Sequence, residues 1–374
     1  MRSFLLAAVL LSLVACDGTT GGQSTAIPAL PRTAPATQAP PGAGTPSPTA
    51  TRSLARTASP TATPINVDDM LGLYPQQTVF VATTDHVSAV TLLNHVTRYR
   101  IATNGVAQVS TDGTGQWLYL LDAETQASYR LRVFDVPAGG ERALHAGIAD
   151  VADERRALST ATDGRVLVLK SAASHAWVDA YTAVSLQPLG TAIEGPGCGD
   201  RLLASGSRVA IVCRLTGEIA VDDLRGNHAA IDGALPNLVA AAMADDGTLY
   251  VATADQQLAA VAAGATKLVK VPWPSEWSGT VLPDGLAVAQ GGASVLLAER
   301  TDDGAWLRVL ATHNPAQQKS LRLAGVPQGG VLTLWPFAYY TVERTVRHID
   351  LTSGLLETMT EVGAGAVPGA VVNK

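Results

Sequence analysis

A turn signal followed by a compact apolar run recurs six times along the chain, and this repeat limits the possible folds more than any other feature. The turn signals are Asp112-Gly113, Asp163-Gly164, Ser205-Gly206, Asp246-Gly247, Gly291-Gly292 and Pro336-Phe337. Neighbouring signals are separated by about 41 to 51 residues, a period typical of repeat architectures. The chain is therefore expected to fold as a series of similar units.

Each turn signal precedes a short run of aliphatic, β-branched or aromatic residues that Gly and Asp bound. The six runs are Trp117–Leu121, Val166–Leu169, Val209–Val212, Leu249–Ala252, Val295–Ala298 and Tyr339–Val342. Their length and composition predict β-strands rather than helices. Helical periodicity is almost absent from the rest of the repeat, which argues against α/β folds and helical solenoids.

The segments after each run become steadily more polar. A strand with more alternation comes first, as in Tyr129–Asp135 and Val346–Leu351, and a polar strand follows, as in Glu141–His145 and Lys319–Leu323. Charged residues protect an exposed sheet edge from pairing with other chains. Each unit is thus predicted to contain an inner strand, a buried strand, a half-buried strand and a charged edge, the order found in one blade of a β-propeller.

Six such units account for residues 105 to about 362, and the two ends of the repeat supply a seventh. Val79–Ala82, Val87–Val90 and Val96–Ala102 predict three strands of a blade that lacks its innermost strand. Val367–Val372 is an unpaired strand candidate, which we expect to complete that blade. The predicted fold class is all-β, a β-propeller of seven four-stranded blades closed by pairing the C-terminal strand with the N-terminal blade. Rings of six or eight blades are the alternatives.

The predicted blades resemble those of bacterial extracytoplasmic propellers of the surface-layer (YVTN-like) and quinoprotein-like type, within the wider WD40-like superfamily. Leu131-Arg132-Val133-Phe134-Asp135 is similar to the third strand of a YVTN-like blade, and the resemblance covers about four fifths of the chain. The WD dipeptide of the WD40 group is missing. The regular tryptophan placement of quinoprotein dehydrogenases is missing too, which argues against quinone-dependent catalysis.

The N-terminus carries an export signal. Arg2 precedes an unbroken apolar run from Phe4 to Val14, which is too short to span a bilayer as a permanent helix. Leu13-Val14-Ala15-Cys16 resembles the lipobox of bacterial lipoproteins. The resemblance implies that residues 1–15 are a signal peptide, that Cys16 carries lipid, and that the protein is extracytoplasmic and anchored to the bacterial membrane. An ordinary secretory signal with an incidental cysteine is the alternative.

Residues 16–66 are expected to form a disordered tether between the lipidated Cys16 and a propeller domain at 67–374. This segment is rich in Thr, Pro, Ala and Ser and has no periodic apolar pattern, so it cannot offset the entropy lost on ordering. About fifty residues of such chain hold their ends roughly 40 Å apart. The tether is interpreted as a plain spacer, with O-linked glycosylation of its Thr and Ser residues as the alternative.

Cys198 and Cys213 are the two cysteines that remain for an oxidising compartment. If Ser205-Gly206 is a two-residue hairpin turn, counting outward along both strands places Cys198 opposite Cys213. A structural disulfide is therefore predicted, although the same count makes the two cysteines a hydrogen-bonded pair, a less favourable position for a cross-strand bridge. Two buried free thiols or a redox pair are the alternatives.

Charge and motif content exclude several kinds of function. The chain has 26 basic and 32 acidic side chains, a formal net charge of −6, so it lacks the basic excess that nucleic-acid binding needs. No G-x-S-x-G, H-E-x-x-H, C-x-x-C or G-x-x-x-x-G-K motif is present. The seven histidines are scattered without metal-ligand spacing. The sequence therefore predicts no catalytic residue, no metal site and no cofactor.

Blade-connecting loops and the turns between second and third strands share one face of a propeller, where ligands usually bind. The residues predicted for this candidate binding face are Asp85, His86, Asp122, Glu124, Asp200, Arg201, Trp273, Glu276, Trp277, Asp302 and Arg344. Trp273 and Trp277 are either an exposed platform for a sugar, an apolar side chain or a cation, or a plug between two blades. The acidic loops either bind Ca²⁺ or are solvated turns.

These features favour a non-catalytic binding or scaffolding module, a propeller tethered to a membrane that presents one face to an envelope protein, peptide or polysaccharide. We expect the propeller to be monomeric. The alternative is a propeller hydrolase or lactonase, which needs carboxylates or a metal converging on the ring axis. Asp153 and Asp200 are the carboxylates placed nearest such a site. Electron transfer is a third class, for which cofactor ligands are lacking.

Overall fold

The structure of the protein, a computed structural model, describes residues 77–373 except 93, 106, 126–127, 138, 150–154, 173–174, 226, 232 and 315. The predicted signal peptide, the lipidation site Cys16 and the tether all lie outside the described residues. Within the described part, no helix is long and apolar enough to cross a membrane.

The described residues form seven four-stranded antiparallel sheets. The first blade has β1 (Gln77–Ala82), β2 (His86–Thr91) and β3 (Thr97–Ala102), the second has β4 (Gln108–Thr111), β5 (Trp117–Thr125), β6 (Ser128–Asp135) and β7 (Gly140–Ala149), and the third has β8 (Arg155–Thr160), β9 (Val166–Ala172), β10 (His175–Tyr181) and β11 (Pro188–Gly195). The fourth has β12 (Arg201–Ser205), β13 (Arg208–Val212), β14 (Ile219–Asp222) and β15 (His228–Ala230).

The remaining strands complete the ring. The fifth blade has β16 (Leu238–Met243), β17 (Leu249–Thr253), β18 (Leu258–Val261) and β19 (Val269–Val271), and the sixth has β20 (Thr280–Ala289), β21 (Ser294–Thr301), β22 (Gly304–Ala311) and β23 (Gln318–Arg322). The seventh has β24 (Gln328–Leu334), β25 (Phe337–Val342), β26 (Thr345–Asp350) and β27 (Leu356–Glu361), and the last strand is β28 (Val367–Asn373).

The C-terminal strand β28 pairs with β1 and becomes the innermost strand of the first blade. Thr78 lies opposite Val372 and Phe80 opposite Ala370 in this antiparallel pair. The seven-bladed all-β propeller and its closure by the two ends of the repeat are therefore confirmed.

The second strand of every blade carries a run of apolar residues because both of its faces are buried there. Val79 and Val81 pack against the seventh blade, whereas Phe80 and Ala82 pack against the second. Seven hydrophobic clusters fill the spaces between adjacent blades in this way, one at each interface. Burial on two faces explains why these strands are continuous apolar runs rather than alternating ones.

Two faces of the ring follow from the order of the strands within a blade. The connections between blades and the turns from second to third strands lie together, and we call this side the loop face. The turns from first to second and from third to fourth strands lie on the opposite face. The six repeated turn signals of the sequence are all on the opposite face, where the first strand returns into the second.

Cys198 and Cys213 form the predicted disulfide, with their Cα atoms 5.3 Å apart. The register used to predict it was wrong. The hairpin turn is Gly206-Ser207, with Ser205 opposite Arg208, because Gly206 supplies the positive φ (60°) required at the first central position of a type II′ turn. In this register Asp200, rather than Cys198, lies beside Val212 and Cys213. Cys198 still reaches Cys213 because the chain turns just before Asp200, where Gly199 N donates a hydrogen bond to Pro196 O.

Candidate functional site

The innermost strands of the seven blades surround a central channel with a volume of about 590 Å³. Small and aliphatic residues dominate its wall, among them Ala107, Val109, Leu158, Ala241, Leu286, Val331 and Val367. A volume of this size matches that of small-molecule or side-chain pockets in proteins. The wall is tightly packed at Gly369, where an added Cβ atom would lie 2.6 Å from Val109.

Two charged side chains of opposite sign, Arg201 and Asp284, line this channel among mainly small and aliphatic side chains. Arg201 begins β12 of the fourth blade, and Asp284 lies within β20 of the sixth. Arg201 Nη2 contacts Asp284 Oδ2 in an ion pair.

A bulge in β20 brings Asp284 into the channel. The pairing of β20 with β21 is interrupted between Val281 and Leu286, and Asp284 adopts a positive φ of 56°. Aspartate tolerates this left-handed conformation better than most residues. The neighbouring blade accommodates the bulge through Gly330, where a Cβ atom would lie 2.6 Å from the Asp284 carbonyl oxygen.

Arg214 and Asp200 extend the ion pair into a network of four side chains on the loop face. Arg214 lies in the turn from the second to the third strand of the fourth blade, and its Nε donates to Asp200 Oδ2 over 2.7 Å. Its Nη1 lies 3.3 Å from Asp284 Oδ1. The charges alternate in the order Asp200, Arg214, Asp284 and Arg201, so the network is neutral as a whole.

The network is partly accessible to solvent. The side chains of Arg201 and Asp284 retain 34% and 23% of their exposure, and those of Arg214 and Asp200 retain 30% and 16%. Burial, together with the nearby Arg214 cation, lowers the pKa of Arg201 to about 10, so its guanidinium remains charged at neutral pH. Arg201 Nε is buried and has no hydrogen-bond partner among the residues that the structure describes. We call these four residues the channel mouth.

Among the residues predicted for the binding face, Asp200 and Arg201 lie in the channel mouth. Asp85, Asp302 and Arg344 lie in exposed turns of the first, sixth and seventh blades, apart from the mouth. Arg344 is 64% exposed and lies 3.8 Å from Glu361.

His86 is paired with its neighbour in the turn of the first blade. Its Nδ1 lies 2.6 Å from Asp85 Oδ1. This hydrogen bond, together with one from Thr83, lowers the pKa of the Asp85 carboxyl. The pair is a local turn contact, and the structure does not bring it together with the charged residues of the mouth.

Asp122 is fully buried, so it does not present its carboxylate at the surface of the binding face. Arg130 Nη2 donates to Asp122 Oδ2 over 2.8 Å, and the Asn104 amide donates to the same oxygen over 3.2 Å. The carboxylate thus joins the second and third strands of its blade to the preceding loop. Glu124 follows on β5, and its side chain lies outside the described part.

The two tryptophans of the blade connection adopt the plug arrangement. Trp277 is 3% exposed and packs in the hydrophobic cluster between the fifth and sixth blades, where it meets Trp273 edge to face at a centroid distance of 5.8 Å. Arg308 lies 5.7 Å from the centre of the Trp277 ring. Glu276 is exposed and contacts Gln318. Trp277 is therefore core, and the connection does not display an exposed platform of two indoles.

Sequence reasoning missed Asp284 and Arg214. Asp284 stands in Pro283-Asp284-Gly285, a sequence typical of a turn, so nothing marked it as a channel residue. Pro and Gly on either side of an Asp within an apolar strand also indicate a β-bulge, and a predicted bulge would have identified Asp284 as a candidate channel residue. Arg214 follows Cys213 directly, and only the correct register brings it to Asp200.

Comparison with known proteins places the chain by fold alone. No protein-family model matches the sequence. No curated protein matches it either. AztD from Citrobacter koseri in its apo form has a TM-score of 0.52 and 14% identity, covering 79% of this chain and 83% of that one. Hydrazine synthase from Kuenenia stuttgartiensis has a TM-score of 0.55 and 13% identity, covering 77% and 93%.

A WD40 protein also resembles the chain. The WD40 repeats of RRP9 have a TM-score of 0.53 and 10% identity, covering 71% of this chain and 83% of that one. Identities this low show a shared β-propeller fold.

Proposed function

We propose that this protein is a non-catalytic binding or scaffolding propeller that presents its loop face to a protein or peptide partner. Its lipidated Cys16 and its tether, residues 16–66, hold the propeller outside the cytoplasm at a bacterial membrane. The observation that supports this proposal most strongly is the channel mouth, where the Arg201–Asp284 ion pair lies at the opening of the central channel.

The channel mouth suits a segment of polypeptide. An apolar side chain of the partner fits the channel, while its backbone carbonyls or a carboxylate accept hydrogen bonds from Arg201 and Arg214. Charge-assisted hydrogen bonds of this kind are about twice as strong as neutral ones.

Exposed apolar residues extend the contact surface beyond the mouth. Leu215 follows Arg214 directly and is 76% exposed, and Val326, in the connection that enters the seventh blade, is 40% exposed. Both lie on the loop face. Aliphatic anchors outside a pocket favour a macromolecular partner over a small ligand, since a ligand confined to the channel does not reach them.

Fold comparison is consistent with this role. A propeller of similar fold, at a TM-score of 0.53 and 13% identity, is part of the Mitotic Checkpoint Complex, an assembly of proteins. Of the two carboxylates expected for the hydrolase alternative, Asp153 lies outside the described residues and Asp200 is bound to Arg214. Asp284, the other carboxylate of the mouth, is bound to Arg201.

The test is capture of the partner by the full-length protein in the envelope of its own organism, with quantitative mass spectrometry. We expect one protein to copurify at near-stoichiometric yield and its recovery to fall at least roughly tenfold with Arg201→Ala or Asp284→Ala, as for a residue at the centre of an interface. Arg165→Ala, on the opposite face, is the control and should retain the partner. Equal recovery with all three variants, or enrichment of polysaccharide without protein, contradicts the proposal.

A further inference from the structure

Three potential metal ligands converge where the first and seventh blades meet. His95 lies in the turn between β2 and β3, and His348 and Glu357 lie on β26 and β27. One ligand atom from each residue lies within 4.8 Å of the others. The cluster is on the opposite face and outer side of the ring, away from the channel mouth, and it joins the blade that contains both ends of the repeat to its neighbour.

The distances fit ligands of a metal ion better than hydrogen bonds. His95 Nε2 and His348 Nε2 lie 3.5 and 3.6 Å from Glu357 Oε2, whereas N–H···O hydrogen bonds are about 2.7–3.2 Å long. Ligand atoms at about 2.0–2.1 Å from a tetrahedral Zn²⁺ are roughly 3.3 Å from one another. Small side-chain movements therefore suffice to place both nitrogens and the carboxylate around one ion.

His348 is held in place and available as a ligand. Its side chain is 6% exposed and lies against Phe337, with ring centroids 5.3 Å apart, and near Tyr339. Its Nδ1 is buried and has no hydrogen-bond partner in the described part of the chain. Aromatic packing thus positions the His348 ring with its Nε2 towards Glu357.

His95 and Glu357 leave a path for an ion to enter from solvent. Their side chains are 32% and 41% exposed. His95 has a positive φ of 56° and its ring lies 5.6 Å from that of His348, nearly edge to face, so the backbone of the turn directs the imidazole across the interface. Two imidazoles and one carboxylate are a donor set that suits Zn²⁺ and related divalent transition metals.

We propose that His95, His348 and Glu357 bind a divalent transition-metal ion, such as Zn²⁺, that fastens the first blade to the seventh. The fourth coordination position is open to water. The ion acts as a clasp at the interface where the ring closes, because His95 belongs to the closing blade and the other two ligands belong to its neighbour. An ion that binds the folded ring and not the unfolded chain stabilises the ring by mass action.

The test is titration of the metal-free full-length protein with Zn²⁺, followed by calorimetry and by thermal unfolding. We expect one Zn²⁺ per chain, a higher Tm with Zn²⁺, and at least roughly tenfold weaker binding with His95→Ala, His348→Ala or Glu357→Gln. His313→Ala is the matched control, since His313 is an exposed histidine in the corresponding turn of the sixth blade and should leave binding unchanged.

His95→Ala and Glu357→Gln change partly exposed side chains, so they carry the test even if His348→Ala fails to fold. The absence of saturable Zn²⁺ binding to the folded wild-type protein overturns the proposal. Binding that persists at wild-type affinity in both His95→Ala and Glu357→Gln also overturns it, because the ion is then held elsewhere.

Discussion

Arg201 in the fourth blade forms an ion pair with Asp284 in the sixth, although the fifth blade stands between them in the ring. The innermost strand of the fifth blade allows this contact because its channel side carries small residues, Ala241 and Ala242. The bulge in β20 supplies the remaining reach. The pair therefore links two blades that share no hydrophobic cluster, and it does so at the opening of the channel.

A double-mutant cycle measures this link. We expect Arg201→Met and Asp284→Asn to show a coupling energy of about 1 kcal/mol in urea unfolding, as for partners within one ionic network. The exposed pair of Arg165 and Asp163, two residues apart within one turn, is the control, and its coupling should be below about 0.5 kcal/mol. Equal coupling in the two cycles contradicts a specific role for the Arg201–Asp284 pair.

The disulfide should contribute substantially to stability. Cys198 and Cys213 are separated by 15 residues, and closing a loop of that size in the unfolded chain corresponds to about 3 kcal/mol. We expect the Cys198→Ala, Cys213→Ala double variant to unfold at a Tm lower by several degrees. Non-reducing mass spectrometry of the wild type should give a mass two hydrogens below that of the reduced chain, and alkylation of both thiols without reduction would contradict the bond.

Trp277 should behave as a core residue. Replacing a buried tryptophan with alanine costs about 3–5 kcal/mol, so Trp277→Ala should lower the Tm by several degrees. Leu189→Ala is the control, because Leu189 lies on an outer strand and is 55% exposed. Thermal unfolding of both variants decides between the two interpretations of this loop: an unchanged Tm with Trp277→Ala is the outcome expected of an exposed platform.

The architecture was predictable because each second strand is buried on both faces and therefore carries a run of apolar residues. The closure was predictable because Val367–Val372 lacked any partner nearby in sequence, and the first blade lacked its innermost strand. Both inferences depend on strand composition, which burial determines directly.

The candidate sites depend on smaller details of the backbone. A single glycine, Gly206, moves the hairpin turn by one residue and the strand pairing by two, and that shift decides whether Cys198 or Asp200 faces the following strand. The position of Asp284 depends on a bulge, and the meeting of His95 with His348 depends on which blades become neighbours. None of these relationships appears as a spacing along the chain.

Glu299 should produce a measurable pH dependence of stability. This carboxylate is fully buried on β21, and burial raises its pKa above the ordinary 4.5 despite the hydrogen bond, 2.9 Å long, from Arg308 Nε. The folded state then holds the proton more tightly than the unfolded state, so this contribution to the free energy of unfolding falls as pH rises above 4.5 and levels off above the raised pKa.

Glu299→Gln should lack that fall, since glutamine does not titrate. Urea unfolding at several pH values above 4.5 measures the difference between variant and wild type. Glu194→Gln, at an exposed position on an outer strand, controls for the loss of one carboxylate. If the free energies of unfolding of the wild type and of Glu299→Gln change with pH in parallel throughout this range, the raised pKa of Glu299 is contradicted.

The proposal that the loop face binds a protein partner is tested most directly by site-specific photocrosslinking in living cells of the source organism. One photoreactive residue replaces Leu215, on the loop face, and in a second strain one replaces Val184, which is 42% exposed on the opposite face. We expect a discrete protein adduct from position 215 that Asp284→Ala abolishes, and none from position 184. The same adducts from both positions, or none from position 215 with normal levels of the protein, would contradict it.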